Sequence, residues 1–406
     1  MSQIAAVLAV FLRLGTTSFG GPVAHLGYFR EEFVVRRRWI GERAYAELVA
    51  LCQFLPGPAS SQVGFAIGLQ RAGLAGALVA FSAFTLPSAA LMVGAAAGIR
   101  IADGPVVRGV IDGLTVVAVA VVAHAVWGMA RSLAPDRSRG AIAVVAAAAV
   151  LLVGGPVAQI AAIAAGAAAG GLWLRHSATD VPAGGSLIPA LPDDGFPAVG
   201  RRVGIACLAL LGTLLVALPI AGRATGSGGL ALFDAFFRSG VLVFGGGHVV
   251  LPLLEGAVVA PGWVETDAFV AGYGAAQALP GPLFAFAAYL GALSSVGPGG
   301  VAGAAIALAG IFLPGFLLLL GALPVWASLR RHPVAAAAVR GANAAVVGVL
   351  AAALYDPVFT SAITDVPRFA LALVCFGLLA IWRTPAWAVV LAGAAAGAVS
   401  AVAFSG

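Results

Sequence analysis

Gln53-Phe54-Leu55-Pro56-Gly57-Pro58 returns about 225 residues later as Gln277-Ala278-Leu279-Pro280-Gly281-Pro282. The apolar pieces beside these turns are short: 44–55 and 59–70 around the first, 267–279 and 283–294 around the second. Twelve helical residues rise only ~18 Å, too little for a hydrocarbon core of ~30 Å. Two readings fit. One is two full-length helices kinked at proline. The other, favoured by length, is a re-entrant hairpin that enters, turns at Pro-Gly-Pro and goes back. Such a turn leaves free backbone amides at the start of the returning half-helix, an anion site without a charged side chain. Ser60 and Ser61 stand at that start in the first copy and add hydroxyl donors; Leu283 and Phe284 take their places in the second, so the site is expected to be asymmetric.

Working outward, the repeat widens. Arg13-Leu14-Gly15 with Phe19-Gly20-Gly21 matches Arg238-Ser239-Gly240 with Phe244-Gly245-Gly246. Trp39 matches Trp263, Leu86-Pro87 matches Leu313-Pro314, and Arg108-Gly109 matches Arg340-Gly341, all in order. Alanine-rich helices do not place rare Trp, Gln and Pro-Gly-Pro in register by chance. The chain is a duplication. The boundaries follow as 1–174 for one repeat, 175–228 for a linker plus one connecting helix, and 229–406 for the second repeat.

Composition sets the solvent. Of 406 residues 61% are hydrophobic and 9% charged, against roughly 25% charged in a soluble domain. The mean hydropathy is +1.05. This is an all-α polytopic membrane protein in contact with a lipid bilayer. Apolar stretches run over 3–21, 73–99, 106–129, 140–154, 156–174, 203–221, 230–251, 298–323, 335–355, 367–382 and 385–404, whereas 175–202 is rich in Pro, Asp and Arg and reads as a solvated linker. The net charge of +6 comes from short Arg clusters between apolar stretches, a pattern of cytoplasmic loops and not of nucleic-acid binding. Cys52, Cys207 and Cys375 lie far apart, with no metal or disulfide spacing. No cofactor is implied. The N-terminal segment is not expected to be a cleaved signal, because it lacks a basic start and Arg13 interrupts its apolar run.

The loop of the first repeat carries Arg30, Arg36, Arg37, Arg38 and Arg43; its counterpart carries Glu255, Glu265 and Asp267 and no basic residue. The positive-inside rule puts the first in the cytoplasm and the second outside, so the repeats are expected to be inverted. The apolar stretches count six crossings between equivalent points, so either one segment is miscounted, with 140–174 the first suspect, or the repeats are parallel. The charge contrast is given more weight.

Arg13 and Arg238 occupy equivalent places in apolar helices. An arginine at that depth faces a cavity or a partner. Attraction of an oxyanion is one role and structural pairing the other: Asp234 stands four residues before Arg238, but Ala9 stands at that place before Arg13. Gly20, Gly21, Gly245 and Gly246 either expose amides near the hairpin tips or allow close packing. Gln53 and Gln277 either orient a ligand or tie each hairpin to a neighbour. His25 and His248 are titratable but lie where a structural role is common. Trp39 and Trp263 read as interfacial anchors. No cluster of catalytic spacing marks an enzyme.

Phe19-Gly20-Gly21-Pro22 with His25, the Arg-rich loop, Trp39 and Pro56-Gly57-Pro58, repeated as Phe244-Gly245-Gly246, Trp263 and Pro280-Gly281-Pro282, resembles the chromate ion transporter family in its two-domain form. Gly247 departs from it where the first copy has Pro22. The resemblance implies a secondary transporter in the bacterial inner membrane that exports chromate and, by shared shape, sulfate-like oxyanions. A homodimer is compatible with it. With the interior negative, each charge gains ~2.3 kcal/mol per 100 mV on leaving, so a dianion needs no coupled ion. An anion channel is the nearest alternative.

Overall fold

The computed structural model describes residues 2–101, 104–174, 197–244, 247–326 and 332–404. Most of the expected linker and the pair Gly245-Gly246 lie outside them. Among the described residues every regular element is helical.

The first repeat opens with α1 (Gln3–Thr17) and α2 (Gly21–Phe29), which runs on as a wider π-turn over Arg30–Arg36. The stretch 3–21 is therefore not one span. Gly20 and Gly21 take positive φ values of 98° and 75°, which side chains resist, and Pro22 follows, so the helix cannot continue. The chain doubles back. Phe11 stacks on Phe33 at 5.0 Å, and the Arg13 guanidinium reaches the Glu32 carboxylate at 2.9 Å. The second repeat folds alike. There α9 (Gly228–Val241) is followed by α10 (Val250–Leu254), and the Ser239 hydroxyl meets the Leu253 carbonyl at 3.5 Å.

Next come the short helices around Pro-Gly-Pro. In the first repeat these are α3 (Glu42–Phe54) and α4 (Ala59–Ile101), the latter broken at Ala72–Gly73 into limbs 59–71 and 74–101. In the second they are α11 (Thr266–Ala278) and α12 (Phe286–Leu293), which is entered through a tight turn at Leu283–Ala285. Both pairs go out and come back. Gln70 donates to the Trp39 carbonyl at 3.0 Å, and the Ser295 amide donates to the Trp263 carbonyl at 3.0 Å. Each tryptophan thus closes the base of its hairpin at its own carbonyl. Arg37 and Arg71 lie over the Trp39 ring, 5.6 and 5.2 Å from its centre.

The remaining helices form the frame: α5 (Pro105–Leu133), α6 (Arg137–Val153), α7 (Gly155–Trp173), α8 (Arg201–Thr225), α13 (Gly300–Ala322), α14 (Pro333–Ala353), α15 (Val366–Ala380) and α16 (Ala386–Phe404). Among the described residues, five stretches are long and apolar enough to cross a membrane: Ala59–Gly98, Val106–Leu133, Arg201–Thr225, Gly300–Val325 and Pro333–Ala362. Only 17% of the α8 window is buried, so that helix lies at the rim, facing lipid.

Pairing crosses between the repeats. α6 and α7 of the first pack on α14 of the second, and α15 and α16 of the second pack on α5 of the first. Glycine permits both approaches: Gly170 sits against Gly341, and Gly113 against Gly393, backbone on backbone.

α13 passes both hairpins. It starts beside hairpin two, with Gly303 against Gly291, and reaches the tip of hairpin one where Gly315 meets Pro58. Past its end, the Trp326 ring lies 5.7 Å from that of Phe54, at the tip end of α3. Between the base of hairpin one and the start of α9 there are five helices among the described residues, namely the second limb of α4 and α5 to α8. The count of six came from treating 3–21 as a crossing.

Candidate functional site

Four chain breaks meet where the hairpins oppose. Gly57, with φ +123°, donates its amide to the Val243 carbonyl at 2.7 Å, and Gly281, with φ +91°, donates to the Ser18 carbonyl at 2.9 Å. Val243 and Ser18 stand at the ends of α9 and α1, whose last carbonyls lack helical partners. Each tip thus satisfies an orphan acceptor of the other repeat. The first junction is reinforced by Gln62, which donates to the Pro56 carbonyl at 3.1 Å and the Gly315 carbonyl at 2.8 Å. Behind the second sits His25, fully buried, with Nε2 3.2 Å from the Ser18 carbonyl and Nδ1 3.5 Å from the Ser60 hydroxyl. A carbonyl only accepts, so Nε2 carries the proton and Nδ1 accepts from Ser60.

Beside the tips lies a cavity of about 440 Å³. Its polar wall combines Gly20 and Gly21 at the start of α2, His124 of α5, His248 and Gln277 of the second repeat, and Arg383 and Thr384 in the turn between α15 and α16. His248 is held by Tyr273, whose hydroxyl lies 2.8 Å from Nδ1. Among the described residues no carboxylate lines this space. Its groups are amide, carboxamide, imidazole, hydroxyl and guanidinium, a set that donates to an anion and offers little to a cation. A smaller cavity of about 340 Å³ lies on the other flank of α2, lined by Gln53, Gly57, Ala59, Ser132 and Asn343 among others.

The residues singled out by spacing are distributed as follows. Gly20, Gly21 and Gln277 line the central cavity, and Gln53 and Gly57 the smaller one. Pro58 accepts the Gln62 amide at 2.9 Å, and Pro282 accepts that of Ala285 at 2.9 Å, each starting its returning helix. Pro56 and Pro280 flank the crossed glycines. Ser60 contacts His25, and the buried Ser61 hydroxyl has no partner. Gly245 and Gly246 are outside the described residues. Arg13 and Arg238 line neither cavity. Arg238 pairs with Asp234 at 2.9 Å, as the four-residue spacing foretold. Arg13 has a partner too: Glu32, brought back by the reversal at Gly20, a contact that helix spacing could not reveal. His124, Arg383 and Thr384 went unnoticed because none of them recurs in the other copy.

A polytopic helical protein, built from two repeats with a cavity lined by hydrogen-bonding groups from both, has the architecture of a membrane transporter. The sequence model described as "Chromate transporter" matches residues 5–171 and again 230–398. The chain belongs to that family, and is a multi-pass bacterial membrane protein of two repeats. It is 28% identical to the "Chromate transport protein" of Cupriavidus metallidurans over 95% of this chain and 90% of that one. The "Probable chromate transport protein" of Synechococcus elongatus is 26% identical over 92% and 88%, and the "Chromate transport protein" of Pseudomonas aeruginosa 28% identical over 86% and 80%. No solved structure matches the chain.

Proposed function

We propose that this protein exports chromate, and with it sulfate-like tetrahedral oxyanions, by alternating access at the central cavity. The observation that carries the reading is the cavity itself. Elements of both repeats converge there with hydrogen-bond donors and, among the described lining residues, no carboxylate, beside two tips that each hold a helix end of the other repeat by a single backbone hydrogen bond. Both hairpins are read as re-entrant, entering from opposite membrane faces; their 13-residue helices α3 and α11 rise only ~20 Å each. A dianion leaving a negative interior gains ~4.6 kcal/mol per 100 mV, which drives export without a coupled ion. Movement of one repeat against the other would break and remake the crossed bonds at Gly57 and Gly281.

Radiolabelled chromate and sulfate fluxes in proteoliposomes test this. An imposed potential, negative on the side equivalent to the cytoplasm, is expected to accelerate efflux from that side, and its reversal to slow it. Flux indifferent to the sign of the potential would sink electrogenic export. Currents far above transporter turnover would replace the transporter by a channel.

Orientation is checked separately. Single cysteines at Arg38 and at Glu265 are expected to react oppositely with an impermeant thiol reagent on intact cells, Glu265→Cys labelled and Arg38→Cys protected. Equal labelling would mean that both bases lie on one face, and the inverted arrangement would be lost.

A further inference from the structure

We infer that Arg383 is the side chain that pairs with the oxyanion in the central cavity. The inference rests on the transport reading above and names the group that would carry its selectivity. Arg383 is the one guanidinium among the lining residues. The arginines expected for this task are spoken for: Arg13 is bound to Glu32, and Arg238 to Asp234. Arg383 makes no ion pair among the described residues.

Its backbone points the same way. Arg383 has φ +53°, in the left-handed region that a side chain disfavours. The corresponding turn of the first repeat, between α6 and α7, is Gly154-Gly155, with φ values of 71° and 75°. Glycine is thus the natural occupant, and the copy that borders the cavity carries arginine instead. The turn does not need the side chain to hold its shape. The Ile381 amide donates to the Gly377 carbonyl at 2.8 Å and the Thr384 amide to the Leu378 carbonyl at 2.9 Å. Strain kept where structure does not require it marks a site of function. Across the cavity stand Gly20, Gly21 and Gln277, so a tetrahedral dianion between them would meet the planar fork of the guanidinium on one side and amide donors on the other. Two parallel N–H donors match two oxygens of such an anion, which an ammonium cannot do.

The experiment compares Arg383→Gly, Arg383→Gln and Arg383→Lys with the wild type in detergent, reading thermal unfolding together with equilibrium binding of chromate and of sulfate. Arg383→Gly is expected to unfold at or above the wild-type temperature, because glycine suits the backbone. Its affinity for both anions is expected to fall by roughly 10-fold or more, as is that of Arg383→Gln. Arg383→Lys is expected to bind more tightly than Arg383→Gln, because it keeps the charge. Wild-type affinity in Arg383→Gly would overturn the assignment, and so would equal affinity of the Lys and Gln variants. If the wild type binds neither anion, the transport reading fails first and this one with it; if it binds both and Arg383→Gly does too, only the arginine is wrong.

Discussion

Gly281→Ala is expected to abolish transport while leaving the helices formed. The position is strained for any side chain, since φ is +91°, and it is enclosed as well. A Cβ there would meet the Ser88 hydroxyl at 2.8 Å and the Gly15 and Phe84 carbonyls at 3.2 Å each. The hydroxyl can rotate away; the two carbonyls belong to packed helices and cannot. A left-handed alanine costs about 1–2 kcal/mol, and overpacking adds roughly 1–3 kcal/mol. The cheapest relief is withdrawal of the tip, which severs the Gly281–Ser18 hydrogen bond and splays the junction beside the cavity. Gly57→Ala provides the contrast. Its nearest obstacle, at 2.9 Å, is the Gln62 amide, the end of a flexible side chain, with the Gly315 Cα at 3.1 Å. Its φ of +123° strains any side chain as well, so it too is expected to lower flux, with the smaller packing penalty of the two. Flux normalised to folded protein, read beside circular dichroism, decides. Near-normal flux in Gly281→Ala would show that the tip is not part of the transport cycle.

Glu32→Gln is expected to lower stability more than any other neutralisation of a single charge around the Arg-rich loop. Glu32 is 5% exposed and holds two guanidiniums, Arg13 at 2.9 Å and Arg37 at 2.6 Å. Both arginines are only partly covered, 55% and 39% exposed, so solvent screens part of the loss. A charged hydrogen bond is worth about 1.5–3 kcal/mol, and the screened sum is expected at roughly 2–3 kcal/mol. Thermal unfolding measures it. A double-mutant cycle with Arg13→Gln separates the pair from its surroundings: the double variant should be clearly less damaged than the two singles added together. Strict additivity would mean that the contact contributes nothing. Arg13→Gln by itself is expected to act through this bond, and to leave the anion affinity of the protein that remains folded unchanged.

Much of the fold was legible from the repeat. The short helices expected at 44–55, 59–70, 267–279 and 283–294 differ by at most three residues at either end from the helices observed, because Pro-Gly-Pro and the paired tryptophans mark both ends of each pair. The membrane setting and the long spans followed from hydropathy. What spacing missed was the reversal at Gly20. A largely apolar run over 3–21 resembles a span even with Arg13 in it, and only the left-handed conformation of two glycines turns it back. That error hid the Arg13–Glu32 pair and produced the even crossing count. The cavity was half legible for a related reason. Gly20, Gly21 and Gln277 recur in both copies and attract notice, whereas His124 and Arg383 do not, and come to the cavity only through packing of one repeat on the other.

The crossed pairing of the frame also bears on how the protein is made. When α7 leaves the ribosome, the surfaces of α6 and α7 that belong against α14 have nothing to pack on until Ala353 is synthesised. At roughly 5–20 residues per second, that interval is about 10–35 s. α5 waits longer still, because α16 is completed only at Phe404. The first half must therefore sit in the bilayer as an unfinished guest, with its glycine seams open to lipid or to quality-control proteases. A chain truncated after α8 would be expected to be degraded and not to function as half a transporter. The same two halves, produced as separate polypeptides in one cell, should find and complete each other.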